Sequence, residues 1–256
     1  LAHMSPDGDW TTIDQSGDVR LKNATGEARG ALARFNRSED TLALSGSVVL
    51  TDASSQTHAD SATFWQGTGK LQADGTVSTT ELPDSSRGAK TQAKTEPAHI
   101  SSNRMVSETM GGHAVYSGKA RLWQGGSVIQ ADTIDLDRPM HTLIATGNVT
   151  AMFPQAGQGR GPGISSAPKS RAGVTGTGRY WHAQGGRLVY EADQHHVRIE
   201  QAAQVTTPDG AVQADQLDLF LTQRLGGQSE RASTGGGSAL GSSPEGQEVQ
   251  RAQGVG

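Results

Sequence analysis

The chain has 256 residues, a net charge of −4 and a pI near 6.1, with 33% hydrophobic and only 4% aromatic residues. That balance excludes a global basic field for nucleic acid. It also leaves too few large apolar side chains for a thick core, so a narrow sheet burying one face of each strand fits best. Cys is absent, which excludes disulfides and thiolate metal sites, and no run of about 18 or more apolar residues offers a membrane span.

Leu1-Ala2-His3-Met4 reads as a cloning remnant, and residues 1–26 as an N-terminal segment whose natural leader or anchor has been cut away. Strand-rich sequence is expected from about 27 to 80, 99 to 153 and 179 to 223. Polar stretches at about 81–97 and 154–178 lack apolar alternation and are expected to be mobile inserts, and 224–256 a low-complexity tail without order.

Within the three regions the period is two. Leu42, Leu44, Gly46, Val48 and Leu50 alternate with Ala43, Ser45, Ser47 and Val49. Leu143, Ala145, Gly147, Val149, Ala151 and Phe153 do the same, and Val197, Ile199, Ala203 and Val205 follow. Alternate side chains of a strand face opposite ways, so one face is buried. The fold class is all-β, built of stacked short antiparallel strands.

Two motifs recur. Ala-Asp-x-apolar-x-(Phe/Leu) begins at Ala59, Ala131 and Ala214, spaced by 72 and 83 residues. A second motif, apolar-x-apolar-x-Gly-x-Val, places Gly46 and Gly147 inside strands, with Gln201 at the corresponding position of the third region. These spacings suggest three units of about three strands each, whose faces are covered by stacking. A Gly inside a strand marks a bulge or a close backbone approach at a sheet corner. Gly125-Gly126 and Asp209-Gly210 suit hairpin turns.

Chemistry is sparse. Gly67-Thr68-Gly69-Lys70 lacks the earlier Gly of a phosphate loop and is followed by Leu71, so it reads as a hairpin turn. Adjacent His195 and His196 point to opposite faces of a strand and share no metal easily, and His99, His113, His141 and His182 have no ligand spacing. Asp60, Asp132 and Asp215 occupy equivalent repeat positions, so they form a ladder with a turn or edge role, not a catalytic cluster. No nucleophile elbow exists. Lys90, Lys94, Lys169, Arg160 and Arg171 fall in the inserts as solvated charges. No cofactor is implied.

Ser101-Ser102-Asn103-Arg104-Met105, the run Ala114 to Gly125, the strand beginning Ala131-Asp132 and Ala145-Thr146-Gly147-Asn148-Val149 together resemble the OstA-like family. That family comprises the lipopolysaccharide-transport proteins LptA and LptC and the N-terminal domain of LptD. The resemblance is best over about 100–153 and looser on either side. It implies a twisted β-jellyroll over 27–223, open at both ends. It further implies a non-enzymatic periplasmic component that holds acyl chains of lipopolysaccharide in an apolar groove and bridges LptC-like and LptD-like partners. End-to-end association of copies through edge strands is part of the same expectation. The candidate lipid-binding residues are Leu44, Val48, Ile134, Leu136, Leu143, Val149, Leu188, Ile199, Leu217 and Leu219. The competing expectations are a ligand-free β-solenoid scaffold and a carbohydrate-binding sandwich; the latter would present clustered aromatics, which this chain lacks.

Overall fold

In the computed structural model, the described residues are 1–7, 9–23, 26–81, 97–108, 112–154, 180–207, 210–223 and 247–255. They form fourteen strands: β1 (Ala2–Met4), β2 (Trp10–Lys22), β3 (Gly26–Asn36), β4 (Thr41–Asp52), β5 (Ser55–Trp65), β6 (Lys70–Glu81), β7 (His99–Glu108), β8 (His113–Gln124), β9 (Ser127–Asp137), β10 (Thr142–Pro154), β11 (Tyr180–Glu191), β12 (His196–Thr207), β13 (Gly210–Gln223) and β14 (Gln247–Val255). Each strand pairs antiparallel with its sequence neighbours in one unclosed sheet ordered β1 to β14. The all-β expectation holds.

Most strands are about twice the usual five or six residues, because each of β2 to β13 is two short strands joined at a corner. Between the pairs flanking this corner, the even-numbered strand always has one more residue than the odd-numbered one. Ser117 pairs with Thr133 and Ala120 with Ala131; Thr146 pairs with Arg187 and Val149 with Gly185. One extra residue on one strand is a β-bulge, which bends the sheet locally. The even strands absorb it with left-handed backbone at Gly17, Gly46, Gly75, Gly118, Gly147 and Gln201.

Aligned corners fold the sheet along its length into two half-sheets, which we call A and B. Half A holds the segments next to the turns 37–40, 66–69, 138–141 and 192–195, and half B those next to Gly125-Gly126. Buried side chains from both halves, such as Ile134 and Leu143 of A with Leu122 and Val149 of B, belong to one apolar cluster, so the halves face each other. The result is a β-jellyroll.

The corners expose the true repeat. Gly17, Gly46 and Gly75 are 29 residues apart, as are Gly118 and Gly147. The unit is therefore a two-strand hairpin of 29 residues, not the three-strand unit expected from the spacings of 72 and 83. Those longer spacings arise where the segments 82–96 and 155–179 interrupt the repeat. Both segments leave from half B, and their expected mobility concerns residues outside those described, as do Asp209 and the five insert cations. Since every pairing is antiparallel, the chain does not wind as a solenoid of parallel coils.

The two motifs found in sequence are the two sides of one corner. Asp60 and Asp132 stand on odd strands opposite Gly75 and Gly147 of the next even strand, where an added Cβ would collide with the Asp side chain. Ala31 opposes Gly46 and Asn103 opposes Gly118 in the same way, at 2.7 and 2.9 Å from the position of an added Cβ. Asp60 also accepts the Thr76 amide (3.0 Å), and Asp132 accepts Asn148 Nδ2 (2.9 Å). The ladder role expected for these carboxylates is thus a corner role. Gly125 and Gly126, both at positive φ, make the two-residue turn between β8 and β9.

Two boundaries differ from expectation. Residues 1–26 are not a separate segment, because β1 and β2 extend the sheet. In β2, Thr11, Thr12, Asp14, Gln15 and Ser16 leave little apolar alternation, and Ile13 faces solvent. Part of the expected tail is also a strand: β14 pairs with β13 from Gln216↔Val255 to Gln223↔Gln247. Backbone hydrogen bonding at a sheet edge needs no apolar pattern, so neither strand announces itself.

A polar network lies on the outer face of half A near the C-terminal end. Asp218 accepts hydrogen bonds from Arg198 Nε (2.9 Å) and Gln216 Nε2 (2.7 Å), and His196 Nε2 lies 2.7 Å away. Burial alone would raise the Asp218 pKa, but the hydrogen bonds from Arg198, Gln216 and His196 outweigh it and hold the carboxyl below its ordinary value. A carboxyl depressed by folding adds stability above its unfolded pKa of about 3.9. That stability is lost as pH falls through the lower folded value. Asp218→Asn should therefore flatten the loss of stability below about pH 4, as read from urea midpoints across the acid range. An unchanged slope would assign the acid sensitivity to other carboxyls, such as Asp52 and Asp74.

Candidate lipid-binding interior

Inward positions of the half-sheets are set by strand alternation, and the corner bulge keeps them inward on both sides of the bend. In β10, Leu143 and Ala145 precede Gly147-Asn148, and Val149, Ala151 and Phe153 follow; all five are buried. Each odd strand lacks the extra residue and shifts parity instead: Ile129 and Ala131 precede the β9 corner, Ile134 and Leu136 follow it.

All ten candidate lipid-binding residues lie in this interior, none more than 4% exposed. Ile134, Leu136, Leu143, Val149, Leu188, Ile199, Leu217 and Leu219 share the large cluster that runs from β5 to β13. Leu44 and Val48 belong to a second, smaller cluster with Val19, Ala33 and Ala62 at the N-terminal end. The structure thus brings eight together and sets two apart. In this conformation each is packed against the protein's own atoms.

The interior is not apolar throughout. Ser55, Thr57, Thr79, Glu81, Ser102, Gln124 and Ser127 are also buried, mostly near the turn side of half B. Thr57 and Thr79 hydroxyls meet at 2.9 Å. Tyr116 of half A hydrogen-bonds Thr79 of half B, and burial raises its pKa. Arg138, in the half-A turn after β9, reaches Glu81 at the half-B end of β6, with Nε 3.5 Å from Oε1. These contacts make a polar seam that joins the two lips of the folded sheet. An apolar-pattern reading passes over Ser and Thr, although Ser55/Thr57 and Thr79/Glu81 do stand at alternate, inward positions.

The C-terminal end is different. There the half-B segment of β13, Gly210 to Gln213, is exposed, with Val212 at 50%. A cleft of about 290 Å³ opens between it and Trp181, Val205, Thr207 and Leu217. Val205 and Leu217 belong to the large interior cluster, and Trp181 packs against it, so this cleft is a mouth of the interior. Its volume sits at the bottom of the range of about 300–1,000 Å³ usual for small-molecule sites. A lipid with several acyl chains does not fit without parting the half-sheets. Among the described residues, no three His, Asp or Glu side chains converge as a metal site.

Comparisons with known proteins bear on this interior. No curated protein matches the chain. Among solved structures, the crystal structure of LptH, the LptA-homologous periplasmic component of the lipopolysaccharide transport device of Pseudomonas aeruginosa, is 14% identical. That match covers 49% of this chain and 75% of LptH, with a TM-score of 0.35. Residues 99–224, from the first residue of β7 to just beyond β13, match the family model of the LptA/(LptD N-terminal domain) LPS transport protein. These residues, just under half of the chain, build most of the large interior cluster and its C-terminal mouth, and they are similar to the LptA/LptD N-terminal domain family of lipopolysaccharide-transport proteins.

Proposed function

We propose that this protein is a periplasmic, non-enzymatic carrier component that shields acyl chains of lipopolysaccharide between its two half-sheets. The observation that carries the reading is the coincidence of the family match over 99–224 with an apolar interior that opens at its C-terminal end beside Trp181. Each CH₂ taken from water is worth about 0.8 kcal/mol, so a chain of a dozen carbons gains enough to replace packed protein contacts locally. The seam of Tyr116–Thr79 and Arg138–Glu81 is where the lips would part, while the sugar head stays in water. In the same reading, LptC-like and LptD-like proteins meet the two ends of the sheet, and copies of the chain can join end to end through edge strands.

A photo-crosslinking amino acid placed at Trp181, Leu143 or Ile134 tests this, with Thr133, on the outer face, as control. Labelling of added lipopolysaccharide at Trp181 and at least one interior position, above that at Thr133, is the expected result. Labelling at Trp181 alone would remove the interior trough, and labelling nowhere above the control would remove the carrier role.

A further inference from the structure

The apolar interior is divided in two, and the division falls where its wall turns polar. Along half B one inward row reads Leu50, Thr57, Thr79 and Ile100, on β4 to β7, each residue paired with the next. Leu50 packs against the smaller cluster and Ile100 belongs to the large one, so the two threonines stand at the boundary. Their hydroxyls are 2.9 Å apart. Nearer the corner, the buried residues at the same place are small: Ala59 and Ala62 of β5 and Ala73 of β6. Small residues in a packed core let the two walls approach closely. Leu71, partly buried near the turns of half A, packs against both clusters.

Half A closes this boundary from the opposite wall. Tyr116 of β8, 1% exposed, hydrogen-bonds Thr79. Arg138 brings Nε to 3.5 Å from Oε1 of Glu81, which is 5% exposed and pairs across the strands with Ser55. Polar contacts therefore run from the lip of half B, at Ser55 and Glu81, inward through Thr79 and Thr57 to Tyr116. They lie across the path from one cluster to the other. A hydrocarbon chain moving along that path would have to take the place of Tyr116 on Thr79 and of Arg138 on Glu81. It supplies neither a hydrogen bond nor a charge, and parting a buried carboxylate from its counter-charge is costly. On either side of the boundary the walls are apolar, and the same chain meets no such resistance.

We propose that the closed seam is a septum: acyl chains held in the large cluster reach the smaller one only when Tyr116 leaves Thr79 and Arg138 leaves Glu81. This rests on the carrier reading above and adds to it a controlled step. The seam that parts to admit a chain from the side also governs the travel of that chain along the sheet. Tyr116, Thr79, Arg138 and Glu81 are then the residues that set how far the lipid advances.

Leu44 and Leu188 stand in one inward row of half A, on either side of Tyr116. In the full chain a diazirine-bearing amino acid replaces one or the other, and labelling of added lipopolysaccharide is followed over time. The comparison is a chain whose seam is apolar, carrying Glu81→Leu, Arg138→Leu, Thr79→Val and Tyr116→Phe. Replacing a buried ion pair by apolar residues of similar volume commonly leaves a fold intact. With the unaltered seam, labelling at Leu44 should be at least about tenfold slower than at Leu188, because a buried charged contact must break first. With the apolar seam that lag should disappear. If urea unfolding shows that the quadruple variant does not fold, Thr79→Val with Tyr116→Phe removes only the hydroxyl contacts and should shorten the lag. Labelling at Leu44 as fast as at Leu188 in the unaltered chain overturns the septum and leaves the carrier reading standing. A lag that the apolar seam does not change does the same. No labelling at either position in either chain removes both.

Discussion

Gly147→Ala is expected to destabilise the protein by about 2–4 kcal/mol, the sum of a left-handed backbone that alanine resists and a collision in a packed corner. Gly147 has φ +79°, and the Cβ of an alanine would meet the Cβ and Cγ of Asp132 at 3.0 Å, with Oδ2 closer still. The collision partner is a side chain anchored by its neighbour, because Asp132 accepts Asn148 Nδ2. Gly126→Ala is the matched control: φ is +82°, but nothing lies within 4 Å of the new Cβ. Its cost should be the backbone share alone, about 1–2 kcal/mol. Combining Asp132→Gly with Gly147→Ala should recover part of the loss, because it copies the arrangement of Gly186 opposite Gln201. Urea unfolding of the three chains decides the matter. Equal losses at 126 and 147, with no recovery in the double variant, would mean that the corners are not packed against each other as described.

Leu188→Ala should cost about 3 kcal/mol, within the 2–5 kcal/mol usual for removing a buried leucine side chain. Leu188 has no exposed surface and pairs with Ala145 on one side and Ile199 on the other, both fully buried. Leu32→Ala, at a position 52% exposed, should change stability by less than about 0.5 kcal/mol. The variant also probes the carrier role. If acyl chains enter between the half-sheets, added lipopolysaccharide should raise the unfolding midpoint of Leu188→Ala more than that of the unaltered chain, because a chain segment fills the vacated space. An equal rise in both would place the lipid outside this part of the interior. Equal stability of Leu188→Ala and Leu32→Ala would contradict the buried position of Leu188 altogether.

Alternation of side chains is a local property, and what depends on it was legible from residues alone. The all-β class, the inward direction of all ten interior candidates and the Gly125-Gly126 turn follow from patterns a few residues long. Strand geometry sends every second side chain to the same face whatever lies far away in the chain. The corner ladder was half visible. Ala59-Asp60, Ala131-Asp132, Gly46 and Gly147 stood out as repeated motifs, but nothing local says that Asp132 closes over Gly147.

Tertiary structure decided the rest, for physical reasons that sequence patterns do not carry. The 29-residue period became visible only when pairing identified equivalent corners on either side of the two long insertions. β2 and β14 join the sheet through backbone hydrogen bonds, which any sequence can supply, and β2 adds only Val19 and Leu21 to the apolar interior, too short a run to mark a strand. The seam of Thr79, Tyr116, Glu81 and Arg138 depends on one half-sheet folding over the other. The mouth beside Trp181 depends on where that fold stops being covered. Both are meetings of residues distant in the chain, and only the bend at the corners brings them together.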